Sequence, residues 1–250
     1  MKILVLVKEI IDTESKIVLD PSNHINESEV SYTVNIYDEY ALEEAIRIKE
    51  RFGGEVIIYS VCRDGALDTF RYIMSMGADK ATLIKSGIRD SITVCELLAN
   101  AIREENNDFD LILAGWVGID QNNGQVPGRI SQILGIPFIN IVTKLDIDGK
   151  KIVCEREGEV AQEIIETELP ALVTIQRGIN VPRQPTAHNI MESKKEKIRI
   201  IDSGIKTRKD NLKVTYEYPK TKKVGYKVDE MEPSKAIELL IKKLLEDKVL

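Results

Sequence analysis

DLILAGWVGIDQNNGQVPGRISQILGIP, residues Asp110–Pro137, carries a strand, a loop and a helix start in one continuous stretch. Leu111-Ile112-Leu113-Ala114 is a short apolar run without alternation, the pattern of a strand buried on both faces of a parallel sheet. The loop that follows is rich in glycine and amide side chains: Gly115, Gly118, Gln121, Asn122, Asn123, Gly124 and Gln125. Ile130, Ile133 and Leu134 then fall at helical spacing, and Gly135 and Pro137 close the helix. Strand, small-residue loop and helix start together form a device for holding phosphate. Glycine lets the backbone come close, and the first N–H groups of the helix point outward with partial positive charge. The spacing matches neither GxGxxG nor GxxxxGK[ST], so taken alone the stretch reads equally as an anion or nucleotide loop and as an ordinary βα connection.

Composition narrows the class. Hydrophobic residues make up 43% of the 250 and charged residues 30%, as in a soluble globular protein. Lys and Arg number 35 against 41 Asp and Glu, a net charge of −6 that gives no footing for nucleic acid. No apolar run approaches the roughly 20 residues of a membrane span, so membrane insertion is not expected. The N-terminal MKILVLVKEI is too short in its apolar part for a secretory segment and reads as a first strand. Cys62, Cys95 and Cys154 are widely separated and form no CxxC pair. A disulfide framework and a zinc site are therefore not expected, and a cytoplasmic location is. His24 and His188 have no local ligand partner.

Working outward, strands are expected at Lys2–Val7, Glu55–Val61, Ala81–Ile84, Phe138–Leu145 and Leu172–Ile175. A surface hairpin is expected to pair Ile17–Leu19 with Val30–Val34. Asp38 is expected to cap a helix through Phe52, with Ala41, Leu42, Ala45 and Ile48 inward and Gly53-Gly54 as its end. Further helices are read over Ala66–Met76, ended by Gly77, and after Ser91 or Thr93. Strand and helix alternate, which specifies an α/β, doubly wound, mostly parallel sheet. Strand ends at Leu6-Val7-Lys8, Val61–Asp64 and Gly115 then share one edge, where a ligand crevice belongs. Lys150–Glu155 and Ala161–Glu168 suggest an added antiparallel segment. From Asn180 periodicity fades while Pro and Lys increase, so this part either wraps a partner or stays disordered. Pro233 then starts a helix with Ile237, Leu240, Ile241, Leu244 and Leu245 on one face. No nucleophile–base constellation stands out.

The block Glu168–Ile198, ELPALVTIQRGINVPRQPTAHNIMESKKEKI, resembles the signature of the electron-transfer flavoprotein β-subunit family through Leu169-Pro170-Ala171, Thr174, Asn180, Pro182-Arg183, Ile190-Met191 and Lys194-Lys195. Val7-Lys8, Asp12, Lys16, Asn35, Glu43-Glu44-Ala45, Arg71, Met76–Asp79, Asp120 and Gln125 extend the resemblance over residues 1–200. It implies an adenine nucleotide alpha hydrolase-like domain over residues 1–180. It also implies an extended C-terminal arm over 181–250, ending in a helix that packs on an alpha subunit. The alpha subunit would hold most of an FAD. This chain would bind AMP structurally, or in electron-bifurcating relatives a second FAD reduced by NADH. The site carried over by similarity is Leu6, Asn35, Asp38, Val61, Asp120, Asn123, Gly124, Gln125, Val126 and Pro127.

The implied role is that of an electron carrier rather than a stand-alone enzyme, taking electrons from a flavin dehydrogenase such as an acyl-CoA dehydrogenase. Arg183, Lys194 and Lys195 are expected either to meet acidic groups or phosphate of the partner, or to sit as solvated charges. The chain also departs from the family pattern. Bifurcating members carry a loop similar to DGDTAQVGP. Here Asp120–Pro127 reads DQNNGQVP and keeps only part of it. The stretch at Asp12-Thr13 lacks the tyrosine that many conventional members place near the flavin of the alpha subunit, and Val160-Ala161 replace a double glycine. The reading adopted is the AMP-holding β-subunit. The alternatives are the bifurcating form and a stand-alone nucleotide-binding regulator.

Overall fold

The computed structural model describes residues 1–87, 90–105, 107–195, 198–204, 215–219, 225, 227–229 and 232–249. Its first strands and helices are β1 (Lys2–Leu6), β2 (Glu9–Ile11), β3 (Tyr32–Val34), α1 (Ile36–Phe52), β4 (Glu55–Cys62), α2 (Leu67–Met74), β5 (Lys80–Lys85), α3 (Ser91–Glu105) and β6 (Leu111–Gly115). They continue as α4 (Val126–Leu134), β7 (Phe138–Asp148), β8 (Lys151–Glu157), β9 (Gln162–Glu168), β10 (Ala171–Ile175), α5 (Ala187–Ser193), β11 (Ile198–Asp202) and α6 (Pro233–Glu246).

Nine strands form one sheet in the order β11-β5-β4-β1-β6-β10-β7-β8-β9. From β11 to β7 every neighbour is parallel, and β8 and β9 are added antiparallel. The apolar runs explain the centre. Every residue of β6 and β10 is buried, because a parallel strand covered on both faces has no solvent side. Alternate residues feed two cores. Ile3, Val5, Leu111 and Leu113 pack with Leu42 and Ile46 of α1 and Phe70 of α2. Leu4, Leu6, Ile112 and Ala114 pack with Leu98 and Ile102 of α3 and Ile130 of α4. Each fully buried Leu or Ile contributes on the order of 1.5–3 kcal/mol. The fold is thus a doubly wound α/β sheet with an antiparallel extension.

Several local expectations are corrected. The hairpin partner of β3 is β2, not Ile17–Leu19, which leaves only an isolated bridge between Leu19 and Ile25. Glu9 and Ile10 are buried, so the strand begins directly behind β1. Helix α1 starts at Ile36, and Asp38 lies in its first turn rather than at its cap. The start of α3 is capped by Asp90, whose carboxylate accepts the N–H groups of Ile92 and Thr93. Strand β7 bends where it leaves β10 for β8. Ile141 sits there at φ +60°, a strained setting for a β-branched residue, and its N–H donates to the Thr174 hydroxyl at 2.8 Å.

The aperiodic segment after β10 has more structure than its composition indicates. Asn180 donates to the Tyr40 carbonyl at 3.0 Å and to Glu44 at 2.9 Å. Arg183 reaches Glu43 through Nε at 2.8 Å and Glu50 through Nη1 at 2.7 Å, both on the outer side of α1. Helix α5 follows, and β11 then joins the sheet beside β5. Arg183 is therefore committed within its own chain instead of to a partner's acid or phosphate. Lys195 pairs with Glu192. The basic residues Lys206, Arg208, Lys209, Lys220, Lys222 and Lys223 lie outside the described residues.

The chain divides into two compact units, the larger made of Met1–Val18 and the residues from Asn26 through β11. The smaller unit gathers Leu19–Ile25 with the described residues from Thr215 onward. Within it the Leu19 N–H donates to the Tyr218 hydroxyl at 2.9 Å, and the Tyr216 N–H to the Asn23 carbonyl at 2.9 Å. Helix α6 begins with Pro233 in its first turn and keeps Ile237, Leu240, Ile241 and Leu245 exposed.

Burial alone would raise the Glu43 carboxyl. The hydrogen bonds and charge of Arg183, with Arg47, outweigh that and hold it below its ordinary 4.5. A depressed carboxyl contributes stability above its unfolded pKa and loses it as pH falls through the folded one. Glu43→Gln is therefore expected to cost about 2–4 kcal/mol at pH 7, and this difference from wild type should shrink below about pH 4.5. Urea unfolding across pH checks it, and equal stability of the two proteins at pH 7 would contradict it.

Candidate functional site

The sheet changes its direction of growth between β1 and β6. From β1 the chain moves outward through β4 and β5, then returns to lay β6 on the other side of β1. The loops leaving the C-terminal ends of β1 and β6 therefore run to opposite sides, which makes this edge the place where a ligand crevice is expected in such a sheet. The β6–α4 loop, residues 116–125, leaves from this edge.

Asn35 and Asp38 enter from the start of α1 and tie this edge together. The Asp38 carboxylate accepts the Lys8 N–H at 2.7 Å, the Gly115 N–H at 3.0 Å and the Asn35 amide at 3.0 Å. The Asn35 amide also donates to the Val117 carbonyl at 2.9 Å, and its oxygen accepts the Ile119 N–H at 3.2 Å. Asn35 is 1% exposed and Asp38 4%, so both act as bracing groups inside the protein. Gly115 is required at its place. A Cβ there would lie 2.6 Å from the Tyr37 Cβ and closer still to the Asp38 carboxylate.

The remaining expected site residues fall into two sets. Leu6, Val61 and Val126 come together in the apolar cluster on the α3–α4 side of the sheet. Asp120 stands at the rim, where both carboxylate oxygens take the Lys8 ammonium at 2.7 Å. Asn123, Gly124 and Gln125 are exposed in the second half of the loop. The Asn123 oxygen accepts the Gln125 N–H at 3.4 Å, and its amide donates to the Ser91 hydroxyl at 3.2 Å. Gly124 turns the chain at φ +57° into α4. Gln125 is the N-cap of α4 but makes no side-chain cap hydrogen bond, and Pro127 is buried in the first turn. Pro127 brings no N–H to this turn, so Val126 and Gly128 carry its leading backbone donors, and the Gln125 side chain caps neither.

Two features of the edge escaped sequence reasoning. Lys8 closes the rim through Asp120, 112 positions away. Arg63 is held at 3.2 Å by the buried Glu9 and lies 3.7 Å above the Tyr32 ring, which places a fixed cation at the end of β4. Nothing local marks either pair, because each joins residues distant in sequence. Among the described residues no group of His, Cys, Asp and Glu could hold a metal ion. No helix there is long and apolar enough to cross a membrane, and Cys62, Cys95 and Cys154 are buried.

Burial pushes the Asp38 carboxyl up to about 7, against the pull of the N–H groups of Lys8, Asn35 and Gly115. Its ordinary value is 3.8, so between these pH values the folded chain keeps a proton that the unfolded chain has lost. The pH-dependent part of this group's contribution to stability is then largest below about pH 4 and is lost above about pH 7, where the hydrogen bonds of the ionised carboxylate remain. The stability of wild type relative to Asp38→Asn, measured by urea unfolding, should fall as pH rises over that window. A difference that stays flat contradicts the assignment.

Comparison with known proteins agrees with the fold. The model of the electron transfer flavoprotein domain matches residues 22–204. The chain is 36% identical to the electron transfer flavoprotein subunit beta of Bacillus subtilis (strain 168), with 96% of each chain covered. It is 34% identical to the subunit beta of Syntrophomonas wolfei, covering 92% of this chain and 90% of that one. With the human subunit beta it shares 30% identity over 93% of this chain and 94% of the relative. On this extent of match, the chain belongs to the electron transfer flavoprotein family and resembles its beta subunits along nearly its whole length.

Proposed function

We propose that this chain is the beta subunit of a heterodimeric electron transfer flavoprotein and that its β6–α4 loop holds AMP as a structural ligand. The observation that carries the nucleotide reading is the uncapped start of α4, reached through Gly124, at the switch point between β1 and β6. N–H groups there can receive a phosphate. Leu6, Val61 and Val126 supply an apolar wall for a purine. Asp120, Asn123 and Gln125 offer polar atoms at the rim.

The FAD, shared with or held by the alpha subunit, supplies the electron-carrying chemistry when bound, and this chain contributes position and electrostatics. Donors are flavin dehydrogenases such as an acyl-CoA dehydrogenase. The arm of residues 181–250, with the exposed apolar stripe of α6, packs on the alpha subunit. A second reading, a bifurcating beta subunit with a second FAD, is favoured by Gln125-Val126, which match the bifurcating loop pattern.

Denaturing the heterodimer purified with its alpha subunit and quantifying the released adenine nucleotides tests the proposal. One FAD and one AMP per heterodimer is the expected result. Two FAD would support the second reading, and one FAD without a second nucleotide would refute both.

Gly124→Val puts side-chain bulk where the backbone must come close to the nucleotide, in a turn at φ +57° that disfavours a β-branched residue, so AMP should bind roughly tenfold more weakly. Equilibrium dialysis of the variant heterodimer measures this, and unaltered affinity would place the ligand elsewhere.

A further inference from the structure

We infer that the side chains of Asn35 and Asp38 are positioning groups, which hold residues 115–119 against the end of β1 and leave ligand contact to the residues that follow. This rests on the nucleotide reading above. The amide of Asn35 has two N–H bonds, and both are used, one on Asp38 and one on the Val117 carbonyl. Its oxygen already accepts the Ile119 N–H. Asp38 uses one oxygen for Gly115 and Asn35 and the other for Lys8. At 1% and 4% exposure, neither side chain can turn toward a ligand without orphaning buried backbone groups.

The ties from Asn35, Asp38 and Lys8 stop at Asp120, and the contacts beyond it run from Asn122 to Gly118 and from Asn123 to Ser91 and Gln125. The loop is held at Gly115, Val117 and Ile119 by these two side chains and at Asp120 by Lys8. Gln121–Gln125 are all exposed beyond it. One half of the loop is therefore fixed before any ligand arrives, and the other half starts from a defined point. Pre-ordering of that kind adds affinity without adding contacts. The missing side chain of Gly115 lets the Asp38 carboxylate close on the backbone N–H.

The test compares wild type, Asp38→Asn and Asn35→Ala in the heterodimer with the alpha subunit. Asp38→Asn sets an N–H group against N–H groups. Asn35→Ala removes the ties at Val117 and Ile119 but leaves those from Asp38 to Lys8 and Gly115. Two quantities are read: hydrogen exchange of the 115–119 amides in the nucleotide-free heterodimer, and affinity for AMP, or for FAD where the heterodimer releases two.

Exchange about tenfold faster in that segment, together with about tenfold weaker nucleotide binding, is expected in both variants. Weaker binding with unchanged exchange would make these side chains ligand contacts and overturn the inference. Faster exchange with unchanged affinity, or no change in either quantity, would overturn it as well. Should Asp38→Asn fail to assemble, Asn35→Ala alone decides. A wild-type heterodimer that neither releases nor binds a second nucleotide refutes the functional reading, and the positioning role falls with it.

Discussion

A single buried carboxylate sits where the sheet reverses its direction of growth. Asp38 receives one N–H from the end of β1 and another from the end of β6, so the two strands that open the crevice are tied by the same side chain. Helix α1 brings that carboxylate there while filling the core below with Leu42 and Ile46. Packing and bracing are thus coupled, because the helix that covers the sheet also sets the edge of the crevice.

Covering both faces of the sheet has a further consequence. Every residue of β6 and β10 is buried, which leaves the strand ends as the place where side chains and loop backbone can meet a ligand. Among the described residues, three ion pairs stand at this end: Lys8 with Asp120, Arg63 with the buried Glu9, and Lys85 with Asp64 at the surface. The Arg63–Glu9 pair keeps isolated charge out of a partly buried edge.

The segment after β10 shows how polar residues direct a chain that lacks hydrophobic period. Asn180 and Arg183 lie in the block that resembles the family signature, and both are engaged by the outer side of α1. They set the path from the sheet's centre toward its far edge, where β11 pairs with β5. The apolar stripe of α6 belongs to the smaller unit and remains exposed, in keeping with the proposed packing on an alpha subunit.

The apolar runs Lys2–Leu6 and Leu111–Gly115, the alternation of strand and helix, and the Gly135 stop were legible in the sequence because each is a local pattern of hydrophobicity or backbone freedom. The family signature was legible too, as a set of residue types at fixed spacing. The use made of those types was not. Asp38 reads as a helix cap from its neighbours, yet the fold turns its carboxylate inward to the ends of β1 and β6. Arg183 reads as a charge meant for a partner or for solvent, yet α1 presents Glu43 and Glu50 to it. Residues 198–202 fall in the stretch after Asn180 where periodicity fades, yet β5 had an open edge for them to join. The reason is common to all three. Periodicity along a chain determines which face is buried, whereas a polar group's partner depends on which distant backbone the packed core brings within hydrogen-bonding reach.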